Sequence, residues 1–156
     1  MKKLLLSAFI MFAVGFGTAF AQTVDEEIKL VQEAFGKDKK TLIESYMALS
    51  PEKAPAFWAV YDAFEVERKE IGKERILLIN EYIEKFTHIG DAEADALATR
   101  SLKNDAALNK LYTSYYAKFK KATSAMDAAK FMQVEFYITN TIRNVVQQEL
   151  PFIGDI

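Results

Sequence analysis

The sequence predicts an all-α protein in which four helices form elongated antiparallel hairpins behind a cleaved signal peptide. The chain of 156 residues contains only 6 glycines and 3 prolines, which favours long uninterrupted helices. Apolar residues recur at intervals of three and four over long segments, as they do on one face of a helix. No segment shows the alternating pattern of a strand, so short connections between helices are expected.

The first 21 residues have the features of a secretory signal peptide. Lys2 and Lys3 are basic, the following residues to Phe20 carry no charge, and small residues stand at Ala19 and Ala21, the positions that a signal peptidase reads. The alternative is a retained anchor, but the apolar stretch is shorter than the roughly 20 residues of a membrane span. We therefore expect cleavage after Ala21 and a single mature domain over residues 22–156.

The expected mature chain is acidic and contains no cysteine. Without Lys2 and Lys3 it has 18 basic and 22 acidic residues, a formal charge of −4. This charge gives no reason to expect nucleic acid as a partner. Disulfides are permitted in an exported protein, so the absence of cysteine means that stability comes from packing and that thiol catalysis is excluded. The expected location is a bacterial periplasm.

The first two helices are expected at residues 24–48 and 51–87. Ser50 suits the cap of the second helix, and Pro51 suits its first position, where a missing N–H costs nothing. The inward face of the first helix is predicted at Ile28, Val31, Phe35, Leu42, Tyr46 and Leu49. The stripe of the second is predicted at Phe57, Tyr61, Phe64, Arg68, Ile71, Arg75, Leu78, Tyr82 and Phe86. Trp58 lies one position off this stripe.

The third helix is expected at residues 92–121, and the fourth ends near residue 148. Gly90 is expected in the left-handed conformation at the end of the second helix, with Asp91 as the cap of the third. The apolar spacing that marks the third helix is carried by Leu97, Leu108, Tyr112, Tyr115 and Phe119. The fourth is marked by Phe131, Glu135, Ile138, Ile142 and Val145. Residues 150–153 form an apolar tail that is expected to dock on the bundle.

Three charged residues lie within these apolar stripes: Arg68, Arg75 and Glu135. A buried arginine needs a carboxylate partner, and the planar guanidinium matches one well. Either Glu135 forms a structural ion pair with Arg68 or Arg75, or the arginine side chains extend from a narrow stripe to solvent. Both arrangements favour a role in helix register rather than in catalysis.

The sequence contains no recognisable set of catalytic or metal-binding residues. His88 is the only histidine in the sequence, and it lacks the convergent ligands of a zinc or copper site. Asp91, Glu93 and Asp95 lack the glycine and terminal glutamate of a calcium loop and suit the first turn of a helix. Neither a phosphate-binding glycine loop nor a nucleophile elbow is present. We therefore predict a protein that is not an enzyme and that holds no cofactor.

Residues 112–121 interleave aromatic and basic side chains. Such a stretch can hold unfolded or anionic polypeptide by apolar contact and charge attraction. Alternatively its aromatic residues pack inward while the lysines complement the negative end of the helix. Tyr116 lies off the main stripe and is the residue that could make this surface functional. The residues predicted to contact a client polypeptide or a partner are Trp58, Tyr112, Tyr116, Lys118, Lys120 and Lys121.

Residues 49–53, Leu-Ser-Pro-Glu-Lys, precede a long charged helix and resemble the L-T-x-x-Q motif of the Spy/CpxP family of periplasmic chaperones and stress adaptors. Lys53 stands where the family has glutamine. Residues 57–61 and 130–135 also resemble a group of exported all-α bacterial proteins of unassigned activity. The family resemblance implies a curved helical dimer whose concave face shelters unfolded envelope proteins without ATP, or which restrains a sensor kinase.

The function expected from this resemblance is that of an ATP-independent envelope chaperone or stress-response adaptor. Its expected partners are unfolded or envelope proteins and a second copy of the chain. Two alternatives remain open: a structural or regulatory module that recognises one defined envelope protein, and a periplasmic metal sensor, since some members of the family are described as sensing metals.

Overall fold

A computed structural model describes residues 24–154 of the chain, with side chains at Gln32 and from Gly36 onward. The signal peptide predicted over residues 1–21 lies outside these residues. Within the described part the backbone forms α1 (Val24–Met47), α2 (Ala54–Lys85), a short 3₁₀ turn (Phe86–His88), α3 (Asp91–Ala122) and α4 (Ala125–Glu149). It contains no strand, so the prediction of an all-α, four-helix protein is confirmed.

Each helix is antiparallel to the next one in the chain. Phe57 near the start of α2 contacts Phe119 near the end of α3, whereas Arg75 in the second half of α2 pairs with Asp105 in the first half of α3. In the pairs α1–α2, α3–α4 and α4–α1, residues further along one helix likewise contact residues earlier in the other. The four helices therefore form one bundle, whose 32-residue members α2 and α3 are each about 48 Å long.

The break between α1 and α2 is longer than the sequence predicted. Ala48, with φ of 45°, ends α1 in the left-handed conformation. The carbonyl of Ser50 accepts backbone hydrogen bonds from Lys53 and Ala54, both at 3.0 Å, so residues 50–53 form a turn and α2 begins at Ala54 rather than at Pro51. Pro55 then occupies one of the first two helical positions, where its missing N–H leaves no helical bond unmade.

The connection from α2 to α3 also differs from the prediction at two residues, Gly90 and Asp91. Gly90 has φ of −97° and ψ of 173°, an extended conformation rather than the left-handed one expected. Gly90 occupies the N-cap position of α3, and Asp91, which was predicted to be the cap, is instead the first residue of the helix. At the next connection, Ser124 Oγ accepts a hydrogen bond of 3.1 Å from the backbone N–H of Asp127 and so caps α4.

The core is an aromatic cluster at the end of the bundle where α2 and α4 begin. Its rings belong to Phe57, Tyr61, Phe64, Phe119 and Phe131, and the shortest centroid distance, 4.3 Å, joins Phe119 and Phe131. Tilted and edge-to-face pairs of this kind each contribute about 0.5–1.5 kcal/mol beyond their burial. The stripe predicted for α2 is therefore correct at its aromatic positions in this cluster, all of which are buried.

The tail after α4 contacts the far end of α2. Tyr82 donates a hydrogen bond of 2.7 Å to the carbonyl of Pro151, while the side chains of Phe152 and Ile153 are largely exposed. The tail therefore contacts the bundle, as predicted, and the Pro151 carbonyl provides one of its contacts. None of the helices described has an apolar stretch long enough to cross a membrane.

Candidate functional site

Four charged side chains from three helices meet inside the bundle and form the buried ion cluster: Lys39, Glu65, Arg68 and Glu135. The side chains of Lys39 and Glu135 are 0% exposed. Lys39 Nζ donates to Glu65 Oε1 at 2.6 Å and lies 2.7 Å from Glu135 Oε2. Arg68 Nε donates to Glu65 Oε1 at 3.0 Å and lies 3.8 Å from Glu135 Oε1. Two positive and two negative charges therefore balance.

Burial and pairing act against each other on the pKa values of this cluster. Burial lowers the pKa of Lys39, and the positive charge of Arg68 adds to that effect, against the opposing attraction of Glu135 and Glu65. Burial by itself would raise the pKa of Glu65, but the charges of Lys39 and Arg68 and the hydrogen bonds they donate lower it overall. Each charge thus depends on its partners to remain in the interior.

The cluster gives Glu135 a nearer partner than the arginines singled out from the sequence. Arg68 does lie beside Glu135, but Lys39 is closer. Arg75 instead pairs with Asp105, at 3.0 Å.

Lys39 could have been recognised from its spacing. Lys39, Ile43 and Met47 are four residues apart and form the inward face of α1. Leu42 and Tyr46, which were predicted to point inward, are instead 38% and 50% exposed. Over residues 39–47 the prediction was wrong by one position because a lysine was not counted as part of an apolar face. The side chains of Ile28, Val31 and Phe35 lie outside the described residues.

The aromatic residues of the 112–121 stretch lie mainly inside the bundle. Tyr112 is only 7% exposed, its ring contacts Phe136 at a centroid distance of 5.0 Å, and its hydroxyl lies 3.3 Å from Thr139 Oγ1. Burial raises the pKa of Tyr112 to about 12. Tyr115 and Phe119 are buried as well. A partner at the surface therefore cannot reach most of the Tyr112 ring in this conformation.

The other residues predicted to contact a partner lie on separate faces. Trp58 is half-buried, with its ring 5.0 Å from Phe57 and Lys40 of α1 5.1 Å from its centroid. Lys118 lies 3.7 Å from the ring of Tyr115, whose hydroxyl donates to Glu67 of α2. Trp58 thus faces α1, whereas Lys118 lies on the α2 side of α3.

Tyr116 and Lys120 lie on the side of α3 that adjoins α4. Tyr116 follows Tyr112 by one helical turn, is partly exposed, and has Lys120 Nζ 5.8 Å from its ring centroid. Phe136 of α4, which contacts Tyr112, is 43% exposed. We call Tyr116, Lys120 and Phe136 the α3–α4 face. Lys121, beside it in the chain, is exposed.

The candidate metal ligands of the sequence are not brought together. His88 is exposed, and its Nδ1 lies 2.6 Å from Thr87 Oγ1. Asp91 and Glu93 are exposed in the first turn of α3, where the positive end of the helix favours them. Among residues 24–154 no three histidine, cysteine, aspartate or glutamate side chains converge in a way that could hold a metal ion.

A second charge cluster lies nearer the surface, further along the bundle. Arg75 Nη1 and Arg143 Nη2 both donate to the same oxygen, Asp105 Oδ1, at 3.0 and 2.6 Å. We call these three residues the shared-aspartate cluster. Burial, then the charge of Arg143, lowers the pKa of Arg75 despite the attraction of Asp105. Asp105 and Arg143 carried no signal in the sequence, because neither lies within an apolar stripe.

No family model, curated protein or solved structure matches the chain. Membership of the Spy/CpxP family, which the resemblance of residues 49–53 to the L-T-x-x-Q motif suggests, therefore stays a prediction.

Proposed function

We propose that the protein is a non-catalytic, exported helical protein that binds unfolded polypeptide without ATP, as an envelope chaperone or stress-response adaptor. The observation that supports this proposal is the α3–α4 face, where α3 carries a partly exposed tyrosine with a lysine beside its ring and the adjoining α4 carries an exposed phenylalanine. The resemblance to the Spy/CpxP family suggests the same role.

The chemistry of the α3–α4 face suits an extended client with aromatic and acidic side chains. Tyr116 and Phe136 offer large apolar contacts at a low cost in side-chain entropy. Lys120, whose Nζ lies 5.8 Å from the ring centroid of Tyr116, keeps a charge available for acidic groups. Because the underlying rings of Tyr112 and Phe119 are buried in the core, we expect the face to keep its shape when a client leaves.

An aggregation assay tests this proposal. The purified protein, added to a chemically denatured client at near-equimolar ratio, should suppress light scattering without ATP. Tyr116→Ser should weaken suppression several-fold, since a truncated contact aromatic costs about 1–2 kcal/mol. Leu102→Ser removes an apolar side chain that is more exposed than Tyr116, at 71%, from another part of α3, and should leave suppression unchanged.

Two results would contradict the proposal. If the protein leaves aggregation unchanged and instead co-purifies with a single envelope protein at a fixed stoichiometry, it is a dedicated binding module. Equal activity of the Tyr116→Ser and Leu102→Ser variants would remove the α3–α4 face as the client surface.

Export and self-association are further parts of the proposal. Protein recovered from the periplasmic fraction should have Gln22 as its first residue, which intact-mass measurement detects directly. Light scattering on the same sample should give twice the monomer mass if the chain forms the expected homodimer. Intact protein retaining residues 1–21 would contradict the proposed cleavage.

A further inference from the structure

A small cavity opens between α3 and α4 beside the shared-aspartate cluster. Its volume is about 160 Å³. Arg143 and Asp105 provide its charged wall, and the rings of Tyr112 and Phe136 lie alongside. Two side-chain amides also line it, those of Asn109 and Asn140. The cavity thus combines a guanidinium, aromatic surface and neutral polar groups within one small volume.

The charges at this cavity do not balance. Arg75 and Arg143 share one carboxylate oxygen, which leaves one positive charge in excess in the cluster. A guanidinium has five N–H donors, and within the described residues each of the two arginines donates to Asp105 alone. Donors therefore remain for an acceptor from outside the chain, and Arg143 is one of the residues that line the cavity.

We propose that this cavity binds a small carboxylate that carries an aromatic or apolar group, with the carboxylate on Arg143 and the ring against Phe136 and the accessible edge of Tyr112. A planar guanidinium matches a carboxylate with two parallel hydrogen bonds. A cavity of about 150 Å³ holds a benzene ring, so the volume of this cavity suits one ring. This goes beyond the proposed client binding and requires no polypeptide.

The excess charge distinguishes this site from the buried ion cluster. There Lys39 and Arg68 face two carboxylates, Glu65 and Glu135, so an incoming anion would meet no uncompensated charge. The two arginine side chains of the shared-aspartate cluster are 27% and 25% exposed. Solvent, and therefore a solute, can reach the second cluster.

Calorimetric titration of the purified protein with phenylacetate tests the site. Phenylacetamide has the same shape without the charge, acetate has the charge without the ring, and inorganic phosphate is a different anion. Phenylacetate should bind, and each of the other three should bind about tenfold more weakly or not at all, because each loses one of the two contacts or the planar geometry. Equal binding of phenylacetamide, or of phosphate, would overturn the proposal.

Two arginine variants locate the binding. Arg143→Gln should abolish detectable binding of phenylacetate. Arg100→Gln removes an arginine that already has two carboxylate partners, Glu74 and Glu81, and should leave the affinity unchanged. Unchanged affinity in Arg143→Gln would refute the site.

Amide and side-chain chemical shifts of the unaltered protein provide a readout that does not depend on the folding of any variant. Phenylacetate should shift the signals of Phe136 and Thr139 most and leave that of Trp58 unmoved. A maximum elsewhere in the chain would contradict the assignment. The same titration run on a carboxyl-terminal phenylalanine peptide and on its amide shows whether the carboxylate can come from a polypeptide end.

Discussion

The two charge clusters of the bundle are built from the same chemistry in opposite settings. In the buried ion cluster two cations face two carboxylates, and Lys39 and Glu135 have no exposed surface. In the shared-aspartate cluster two arginines face one carboxylate, and the side chain of Asp105 is 38% exposed. The buried ion cluster is therefore a closed cluster with balanced charges. The shared-aspartate cluster is an open cluster, which carries an excess charge and remains accessible to water.

The difference follows from the free energy of removing a charge from water. A buried ion without a partner costs several kcal/mol, so a closed cluster is stable only when its charges balance. Water screens a partly exposed ion, so an open cluster can keep an unpaired charge. The closed cluster therefore specifies how α1 docks on α2 and α4, and the open cluster retains the capacity to bind an anion.

Breaking the closed cluster should have the largest effect. Lys39→Met leaves two glutamates facing Arg68 alone, and we expect the free energy of unfolding to fall by about 3–5 kcal/mol. Adding Glu135→Leu restores a balanced pair of Glu65 and Arg68, so the double variant should be more stable than the sum of the single changes predicts. Urea denaturation of the three variants measures this coupling.

The neighbouring lysine is the matched control for that experiment. Lys40 pairs with Asp62 at 2.9 Å, and both side chains are exposed. Lys40→Met should therefore change the free energy of unfolding by only about 0.5 kcal/mol. Strictly additive effects of Lys39→Met and Glu135→Leu, or an equal loss in Lys40→Met, would show that the cluster does not act as a unit.

The second largest effect is expected from acid, which should weaken the closed cluster. The pKa of Glu65 lies below its ordinary value of 4.5 in the folded protein, so below pH 4.5 the unfolded state binds more protons than the folded state. The free energy of unfolding should therefore fall as the pH drops from 4.5 through the folded-state pKa of Glu65. Urea denaturation between pH 3 and pH 7, in roughly 0.5 M salt to screen exposed pairs, measures it.

The variant Glu65→Gln tests the origin of that acid response. Its free energy of unfolding should fall less steeply below pH 4.5 than that of the unaltered protein, because the titrating group is gone. The same slope in both proteins would assign the acid sensitivity to other carboxylates.

Disturbing the open cluster should lower the free energy of unfolding by less than disturbing the closed cluster. Asp105→Asn keeps the side-chain volume but leaves Arg75 and Arg143 without a carboxylate. Because all three side chains are partly exposed, we expect a loss of about 1 kcal/mol or less in the free energy of unfolding. The loss should shrink as salt is added, since salt screens the repulsion between the two arginines. A loss as large as that of Lys39→Met would contradict the contrast between the clusters.

The smallest effect is expected at a hydroxyl beside the closed cluster. The hydroxyl of Tyr61 is buried and has no hydrogen-bond partner in the described residues. Tyr61→Phe should therefore leave the free energy of unfolding unchanged or raise it, within about 1 kcal/mol. Tyr112→Phe is the control, because it removes the contact with Thr139 at 3.3 Å and should cost about 0.5–1.5 kcal/mol. A clear loss in Tyr61→Phe would show that its hydroxyl has a partner.

The sequence predicted the fold class and the four helices well because these depend on local patterns. Apolar spacing identified Phe57, Tyr61 and Phe64 as core, and their burial agrees. Helix boundaries were less accurate where two signals competed: Ser50 and Pro51 have the residue types of a helix start, but the turn over residues 50–53 delays α2 to Ala54.

The sequence by itself determined that the chain forms long amphipathic helices, since helix periodicity and the scarcity of glycine and proline are properties of neighbouring residues. Only the tertiary structure decided which charges meet. Lys39 and Glu135 are 96 positions apart in the chain, and Asp105 is 30 and 38 positions from its two arginines. Partner choice over such separations depends on how whole helices pack, because burial sets the free energy of each charge, and burial is defined only in the assembled bundle.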